Sequence, residues 1–231
     1  MKTAGIVGGI GPESTIDYYR QMVAAYRRQR PDGSFPPILI NSIDMTRMLD
    51  LIGTGKMVEV TDYLVGAVRK LERAGADFAL LAANTPHVVF NEIQQRSPIP
   101  MISIVEAACA AAKARGLQRL GLFGTRFTMQ GSFYPDAFFK QGIDIFTPGQ
   151  EDQDYIHERY MSELVHGVFL DETRSRLLAI VDRLIDQQQV QGLLLGGTEL
   201  PLILRNETYR EVPFLDTTRI HVERAVARIL S

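Results

Sequence analysis

Two short turns in the sequence combine small residues with polar side chains in a way that suits the binding of an anionic group. The first turn, AANTPH, runs from Ala82 to His87, and the second turn, GGTE, runs from Gly196 to Glu199. Each follows an apolar run and opens a helical pattern, so backbone N–H groups and side-chain oxygens lie where a carboxylate can be received. The side chains that would receive it are Asn84, Thr85 and Thr198.

Helix capping explains the same residues without any ligand. Asn84 or Thr85 is a common N-cap, and the first helical turn is a favoured place for proline. In the second turn, Thr198 is the expected cap, and the helix dipole favours a solvated Glu199 at that place. The sequence alone leaves both interpretations open.

Three other segments carry residues that could contact a small acid. The glycine-rich segment GGIGPEST after the first apolar run lacks both the G-x-G-x-x-G and the G-K-[ST] spacing, which argues against nucleotide binding. We expect Gly9 to form a turn with positive φ that approaches a small substrate. Thr125 and Thr128 either donate to a substrate carboxylate or cap the next helix. Arg47, after the second apolar run, could hold a carboxylate through two hydrogen bonds.

The histidines and the single cysteine do not form a metal-binding pattern. The spacing of His87, His157, His166 and His221 matches no metal-ligand motif, so we predict no metal site. Cys109 lies in an alanine-rich segment and is expected to be a small buried residue. It has no partner for an internal disulfide.

Composition and charge exclude several classes of protein. The chain has 231 residues, 45% of them hydrophobic, and 25 Lys and Arg against 27 Asp and Glu give a net charge of −2. This balance offers no basic surface for nucleic acid or anionic membranes. The apolar start of the chain is expected to be a strand and not a signal peptide, and no apolar stretch approaches the roughly 20 residues that span a bilayer. We expect a cytoplasmic protein whose partners are small molecules or copies of itself.

Short apolar runs alternate with longer amphipathic stretches, a pattern that predicts parallel sheets covered by helices. The predicted strands are Thr3 to Val7, Pro37 to Ile43, Asp77 to Leu81, Met101 to Ile104, Arg119 to Phe123, Ile143 to Phe146, Gly192 to Leu195 and Pro213 to Leu215. The predicted helices are Glu13 to Arg30, Lys56 to Ala74, Glu106 to Arg115, Asp154 to Val165, Glu172 to Gln188 and Arg219 to Leu230.

These elements form two similar series, which predicts two α/β half-domains. The first would comprise residues 1–105 together with about 210–231, and the second residues 106–209. The segment Phe78 to Val89 resembles Gly192 to Ile203, each an apolar strand, a polar turn and a helix. Ligands of open parallel sheets bind beyond the carboxyl ends of strands, so the two turns could face one ligand in a cleft.

Motifs along nearly the whole chain resemble the aspartate/glutamate racemase family. They are KTAGIVGGIGPEST, ANTPH, FGTRFTM, GTEL and PFLDTTRIHVERAV, in the family's order and spacing. The resemblance implies two Rossmann-like α/β half-domains related by a pseudo-twofold axis, with parallel sheets and an active-site cleft between them. It also implies a cofactor-independent amino-acid racemase, an isomerase that uses neither pyridoxal phosphate nor metal, and a homodimer.

The resemblance assigns roles to particular positions. Family members transfer the α-proton between two thiols on opposite faces of an acidic amino acid, and those thiols correspond to Ala83 and Gly197 here. Asn84, Thr85, Thr125 and Thr198 match positions that hold the carboxylate and amino groups of the substrate. Arg47 matches the family's arginine for the side-chain carboxylate, and Gly9, from its expected turn, is the other candidate substrate-binding residue.

Loss of both thiols leaves several functions open. The protein could be an enzyme that binds an amino acid or related carboxylic acid and uses another base, with Glu199 and His87, and also Cys109, as the candidates. A single base suits an isomerase, lyase or decarboxylase better than a racemase. Alternatively, the protein is a catalytically inactive sensor that binds an amino acid. A third interpretation is that Ala83 and Gly197 are laboratory substitutions made to trap a substrate.

Overall fold

The computed structural model describes the whole chain, Met1–Ser231, as a mixed α/β fold with parallel sheets. The strands are β1 (Ala4–Gly8), β2 (Ile38–Ser42), β3 (Phe78–Leu81), β4 (Met101–Ile102), β5 (Arg119–Gly124), β6 (Asp144–Phe146), β7 (Gly192–Gly196), β8 (Thr208–Tyr209) and β9 (Val212–Asp216). The helices are α1 (Pro12–Gln29), α2 (Met45–Gly53), α3 (Met57–Arg73), α4 (Phe90–Arg96), α5 (Ile104–Ala114), α6 (Arg126–Gln130), α7 (Phe133–Phe139), α8 (Gln150–Ser162), α9 (Asp171–Gln188), α10 (Leu200–Leu204) and α11 (Thr217–Leu230). Two 3₁₀ helices cover Thr85–Val89 and Leu164–His166.

The chain divides into two compact units. The first unit contains Met1–Ile104 and His221–Ser231, and the second contains Val105–Ile220. The return to the first unit therefore lies within α11, later than the expected position near residue 210. The reason is strand pairing: β9 extends the second sheet beside β7, and β8 pairs with β9.

The first unit is built on a four-stranded sheet in the order β2-β1-β3-β4, with every pair parallel. The central strands β1 and β3 consist of small and apolar residues and are fully buried. Side chains of α1 and α11 pack with them, among them Tyr18, Met22 and Val226. This packing fixes the end of β3, from which the first turn begins.

The second unit is built on a five-stranded sheet in the order β6-β5-β7-β9-β8. All pairs are parallel except β8 with β9. Its core joins β5, β7 and β9 to apolar residues of α8, α9 and α10, including Ile156, Leu177 and Leu200. The second turn begins at the end of the central strand β7.

The eight predicted strands are present, with ends that differ by at most two residues. Buried parallel strands are continuous apolar runs, which is why they stand out in a sequence. The predicted list lacks β8 and the helices α2, α4, α6, α7 and α10, which have five to nine residues. Helical periodicity is weakly defined over so few residues. None of the helices combines the length and apolar composition needed to cross a membrane.

Candidate functional site

The first turn leaves the carboxyl end of β3 and enters a 3₁₀ helix, not an α-helix. Asn84 precedes that helix with αR backbone angles and makes no side-chain capping hydrogen bond. Asn84 and Thr85 are nevertheless buried. Capping by Asn84, the plain explanation of this turn, is therefore wrong, whereas Pro86 does occupy the first helical turn.

His87 braces the first turn through both ring nitrogens. Its Nδ1 lies 3.0 Å from the carbonyl oxygen of Ala83, and its Nε2 accepts from the N–H of Ile104 at 3.2 Å. An accepting Nε2 places the proton on Nδ1, which donates to Ala83. The ring also stacks on Phe90 with 4.8 Å between centroids. Both nitrogens thus serve the main chain.

Burial keeps this imidazole neutral. Desolvation, together with the neighbouring His221, lowers the pKa of His87 to about 3. His221 is buried as well: its Nδ1 lies 2.9 Å from the Tyr18 hydroxyl, and its Nε2 lies 3.0 Å from the carbonyl oxygen of Ile102. Desolvation lowers the pKa of His221 to about 4. His87 is therefore a structural support of the turn, and nothing in its geometry favours proton transfer to a ligand.

The second turn leaves β7, and its Gly197 lies against the ring of Tyr160 from α8. A Cβ placed on Gly197 would lie 2.5 Å from Tyr160 Cε2 and 2.9 Å from Tyr160 Oη. Real Cβ atoms essentially never approach other atoms within 3.0 Å. The space of a side chain at position 197 is thus occupied by the Tyr160 phenol.

Glu199 is buried in the second turn, with only 1% of its surface exposed. Its Oε2 accepts hydrogen bonds from the Tyr160 hydroxyl and, at 2.7 Å, from the Thr198 hydroxyl. Burial and the Glu199 carboxylate raise the pKa of Tyr160 well above its usual value. The phenol therefore stays protonated and donates to the carboxylate.

This arrangement corrects two expectations about the second turn. Thr198 does not cap the following helix, because α10 begins at Leu200 and its N-cap position, Glu199, makes no side-chain capping bond. Glu199 is not a solvated charge, because it is enclosed with Tyr160 and Thr198. Both residues form hydrogen bonds within a buried cluster with Tyr160, and neither caps α10.

Thr125 caps α6, as the plainer of its two interpretations predicts. Its Oγ1 accepts from the N–H of Thr128 at 3.3 Å, and the two hydroxyl oxygens lie 3.2 Å apart. Both threonines are buried.

Gly9 and Arg47 lie in the first unit. Gly9 has a φ of 78°, and a Cβ there would collide with the backbone of Ile43 at the end of the β2 region, so the close approach is to protein backbone. The N–H of Gly9 donates to Thr15 Oγ1 at 2.8 Å. Arg47 is exposed on α2, and its guanidinium carbon lies 4.6 Å from the centre of the Tyr63 ring.

Cys109 is buried in α5, and its thiol lies 3.8 Å from the carbonyl oxygen of Ala137. Burial raises the pKa of the Cys109 thiol, which opposes thiolate formation. No group of three or more His, Cys, Asp or Glu side chains is placed to hold a metal ion.

Sequence reasoning missed Tyr160, which appeared only as part of a predicted helix. Tyr160 lies on α8, and it contacts Gly197 in the turn after β7. Helical periodicity does not predict which residue of another element a helix contacts. The signal that could have indicated it is the glycine itself: an absent side chain in a buried turn leaves space that another residue must fill.

Comparison with known proteins places these observations in a family. A family model described as Asp/Glu/hydantoin racemase matches residues 7–225. The broad specificity amino-acid racemase RacX of Bacillus subtilis (strain 168) is 26% identical over 98% of both chains. A crystal structure of a candidate Asp/Glu racemase from Yersinia pestis covers 100% of both chains with a TM-score of 0.91 and 31% identity. An aspartate racemase homologue from Pyrococcus horikoshii OT3 also covers 100% of both chains, with a TM-score of 0.85 and 28% identity.

Proposed function

The chain belongs to the Asp/Glu/hydantoin racemase family, and from this premise we propose that it binds an amino acid or a related small carboxylic acid without any cofactor. The two-thiol racemisation of the family is not its reaction. Any chemistry on the ligand is a one-sided proton transfer from the second turn, as in an isomerase, lyase or decarboxylase. Its Glu199 is the candidate base.

The observation that carries this proposal is the burial of polar side chains at the carboxyl ends of β3 and β7. Asn84, Thr85 and Thr198 are all buried, yet neither Asn84 nor Thr198 caps a helix. Their position after parallel strands is the usual place for ligands of α/β proteins.

The residues at positions 83 and 197 support the exclusion of two-thiol chemistry. Ala83 carries only a methyl group and Gly197 carries no side chain, so neither can accept or donate a proton. His87 is held by main-chain groups at both nitrogens, and burial opposes formation of a Cys109 thiolate. Glu199 is therefore the best supported of the three candidate bases. On the first turn, no group that could act as a base is favoured.

A second candidate function is an amino-acid sensor that binds without turnover. The absence of a titratable side chain at both thiol positions favours it, because each missing acid or base removes on the order of 10² to 10⁴ in rate. A sensor and an enzyme would bind the same ligand and would differ only in whether a proton is transferred.

The homodimer and the cytoplasmic location remain predictions.

Calorimetric titration with D- and L-Asp, D- and L-Glu, and succinate tests binding. We expect at least one of these acids to bind, and we expect Thr85→Val and Thr198→Val each to weaken that ligand about tenfold, the value of one lost hydrogen bond. Arg47→Ala should weaken an acidic amino acid but not alanine. The exposed helix-end variant Thr54→Val is the matched control and should bind like the unmodified protein.

The titration can also contradict the proposal. Failure of all five acids to bind, with the fold intact by circular dichroism, would remove it. Thr85→Val and Thr198→Val proteins that bind the ligand as tightly as the unmodified protein would show that the two turns do not hold the ligand.

A further inference from the structure

We propose that Tyr160 is the proton-transfer group of the second turn, standing where a side chain of residue 197 would otherwise lie, with Glu199 as the acceptor behind it. The inference rests on the proposed function, since it concerns a bound amino acid or related acid. Tyr160 lies on α8, outside the second turn, and its reactive group is a phenol and not a thiol.

The steric relation between Tyr160 and Gly197 is the first support. A Cβ on Gly197 would lie 2.5, 3.0 and 2.9 Å from Cε2, Cζ and Oη of Tyr160. These three atoms form the hydroxyl-bearing end of the ring. The polar end of Tyr160 therefore occupies the place from which a residue-197 side chain would project, so a phenol replaces whatever group that side chain would carry.

The hydrogen bonds around the phenol are the second support. Tyr160 donates its proton to Glu199 Oε2, and Thr198 donates to the same oxygen at 2.7 Å. The phenol oxygen also accepts from the Glu199 N–H and lies beside the Thr198 hydroxyl, whose own proton goes to Glu199 Oε2. A hydroxyl oxygen has two acceptor lone pairs, so one is left for a proton arriving from another direction. Glu199 is a buried carboxylate oriented to take the proton that the phenol gives up.

The proton transfer balances without any additional reactant. The Cα–H bond of the bound acid breaks, and its electron pair stays on the carbon, delocalised into the α-carboxylate. The proton forms a bond to Tyr160 Oη while the original Oη proton moves to Glu199 Oε2. The return step reverses each transfer, and exchange of the Glu199 proton with D₂O places deuterium on the α-carbon.

A buried phenol does not readily lose its proton to form a phenolate. Coupling of the two proton transfers avoids the formation of that phenolate. Burial and Glu199 raise the pKa of Tyr160 well above its usual value, so a free phenolate is disfavoured. In a coupled transfer the phenol loses one proton as it gains another and carries no full negative charge. The proton that leaves the phenol neutralises the carboxylate charge of Glu199.

Deuterium exchange in D₂O tests the inference with the full chain. We would follow the α-proton of D- and L-Asp and D- and L-Glu by NMR, and measure binding of the same acids by calorimetry. The unmodified protein should exchange at least one of them. Tyr160→Phe keeps the ring and should bind that acid equally well while exchange falls on the order of 10²- to 10⁴-fold. Glu199→Gln should show the same loss of exchange and a flattened pH profile in what remains.

Tyr155→Phe is the matched control, since Tyr155 lies on α8, is partly buried against the same core and has no contact with the second turn among its interactions. It should exchange at the unmodified rate. A Tyr160→Phe protein that exchanges as fast as the unmodified one would overturn the inference. Binding without exchange by the unmodified protein would overturn it and leave the proposed function standing, whereas loss of both would overturn both.

A double-mutant cycle tests the steric part without any ligand. Gly197→Cys should destabilise the unmodified protein strongly and the Tyr160→Ala protein much less, because the space is then open. Urea unfolding of the four proteins measures the difference. Equal destabilisation in both backgrounds would show that Tyr160 does not occupy the side-chain space of residue 197.

Discussion

The first and second turns begin alike, each at the end of a central parallel strand, but different groups hold them in place. In the first turn, a neutral imidazole, that of His87, is bonded to the backbone of Ala83 and Ile104. In the second, a carboxylate, that of Glu199, accepts from the hydroxyls of Tyr160 and Thr198. The first turn is held by an imidazole that burial keeps neutral, and the second by a carboxylate that accepts from two hydroxyl groups.

This difference shows that two similarly placed turns can be supported by different chemical groups. At position 83, the side chain is an alanine methyl, and the neighbouring His87 imidazole is kept neutral by burial. At position 197, the side chain is absent and the end of Tyr160 takes its volume. The chemical groups available at such a turn therefore depend on which residue lies beside a glycine, and that residue can come from another helix.

Acidification should have the largest effect, and it should act through the first unit. The pKa values of His87 and His221 are lowered to about 3 and about 4, whereas unfolded imidazoles titrate near 6.5. The unfolded chain therefore binds more protons below pH 6.5, so the stability contribution is complete above that pH and is lost as the pH falls toward 4. We expect a loss of about 2 kcal/mol per imidazole between pH 7 and pH 5.

Urea unfolding from pH 8 to pH 5 measures this loss. His87→Gln should remove about half of the pH dependence, and the exposed His166→Gln should leave it unchanged. A pH profile identical in the unmodified and His87→Gln proteins would show that the first turn is not braced by a neutral buried imidazole.

A methyl group added at position 197 should have the next largest effect. Gly197→Ala should lower the free energy of unfolding by roughly 1–3 kcal/mol, the usual cost of overpacking, because the Tyr160 ring must move. Gly66→Ala is the matched control: Gly66 lies within α3 and has no atom within 4 Å of its added Cβ. Since alanine is the better helix former, that variant should gain about 0.5–1 kcal/mol. Thermal unfolding of both variants measures the contrast. If Gly197→Ala left the free energy of unfolding unchanged, the Tyr160 ring would be able to move aside without cost.

Removal of the cap on α6 should have the smallest effect. Thr125→Ala should cost about 1 kcal/mol, because the N–H of Thr128 loses its side-chain acceptor. Thr125→Ser keeps the hydroxyl and should restore most of that stability in thermal unfolding. If serine proved as costly as alanine, the methyl group of Thr125, and not its cap, would be what stabilises this segment.

Much of the fold could be predicted from the sequence because buried parallel strands such as Phe78–Leu81 are unbroken apolar runs. The two turns could be located for the same reason, as the polar residues that end such runs. The state of Glu199 could not be predicted, since general preferences place a first-turn glutamate in solvent. Its burial depends on Tyr160, which lies on a helix far from it in the sequence, and local patterns do not report such a contact.

The stereochemical course of deuterium exchange tests the central claim most directly, namely that the second turn keeps a proton-transfer group and the first does not. Single enantiomers of Asp and Glu would be incubated with the protein in D₂O and analysed by chiral chromatography with mass detection. One group on one side predicts deuterium in one enantiomer with its configuration retained. Accumulation of the deuterated opposite enantiomer would require a second proton donor facing the other side, and it would contradict the account.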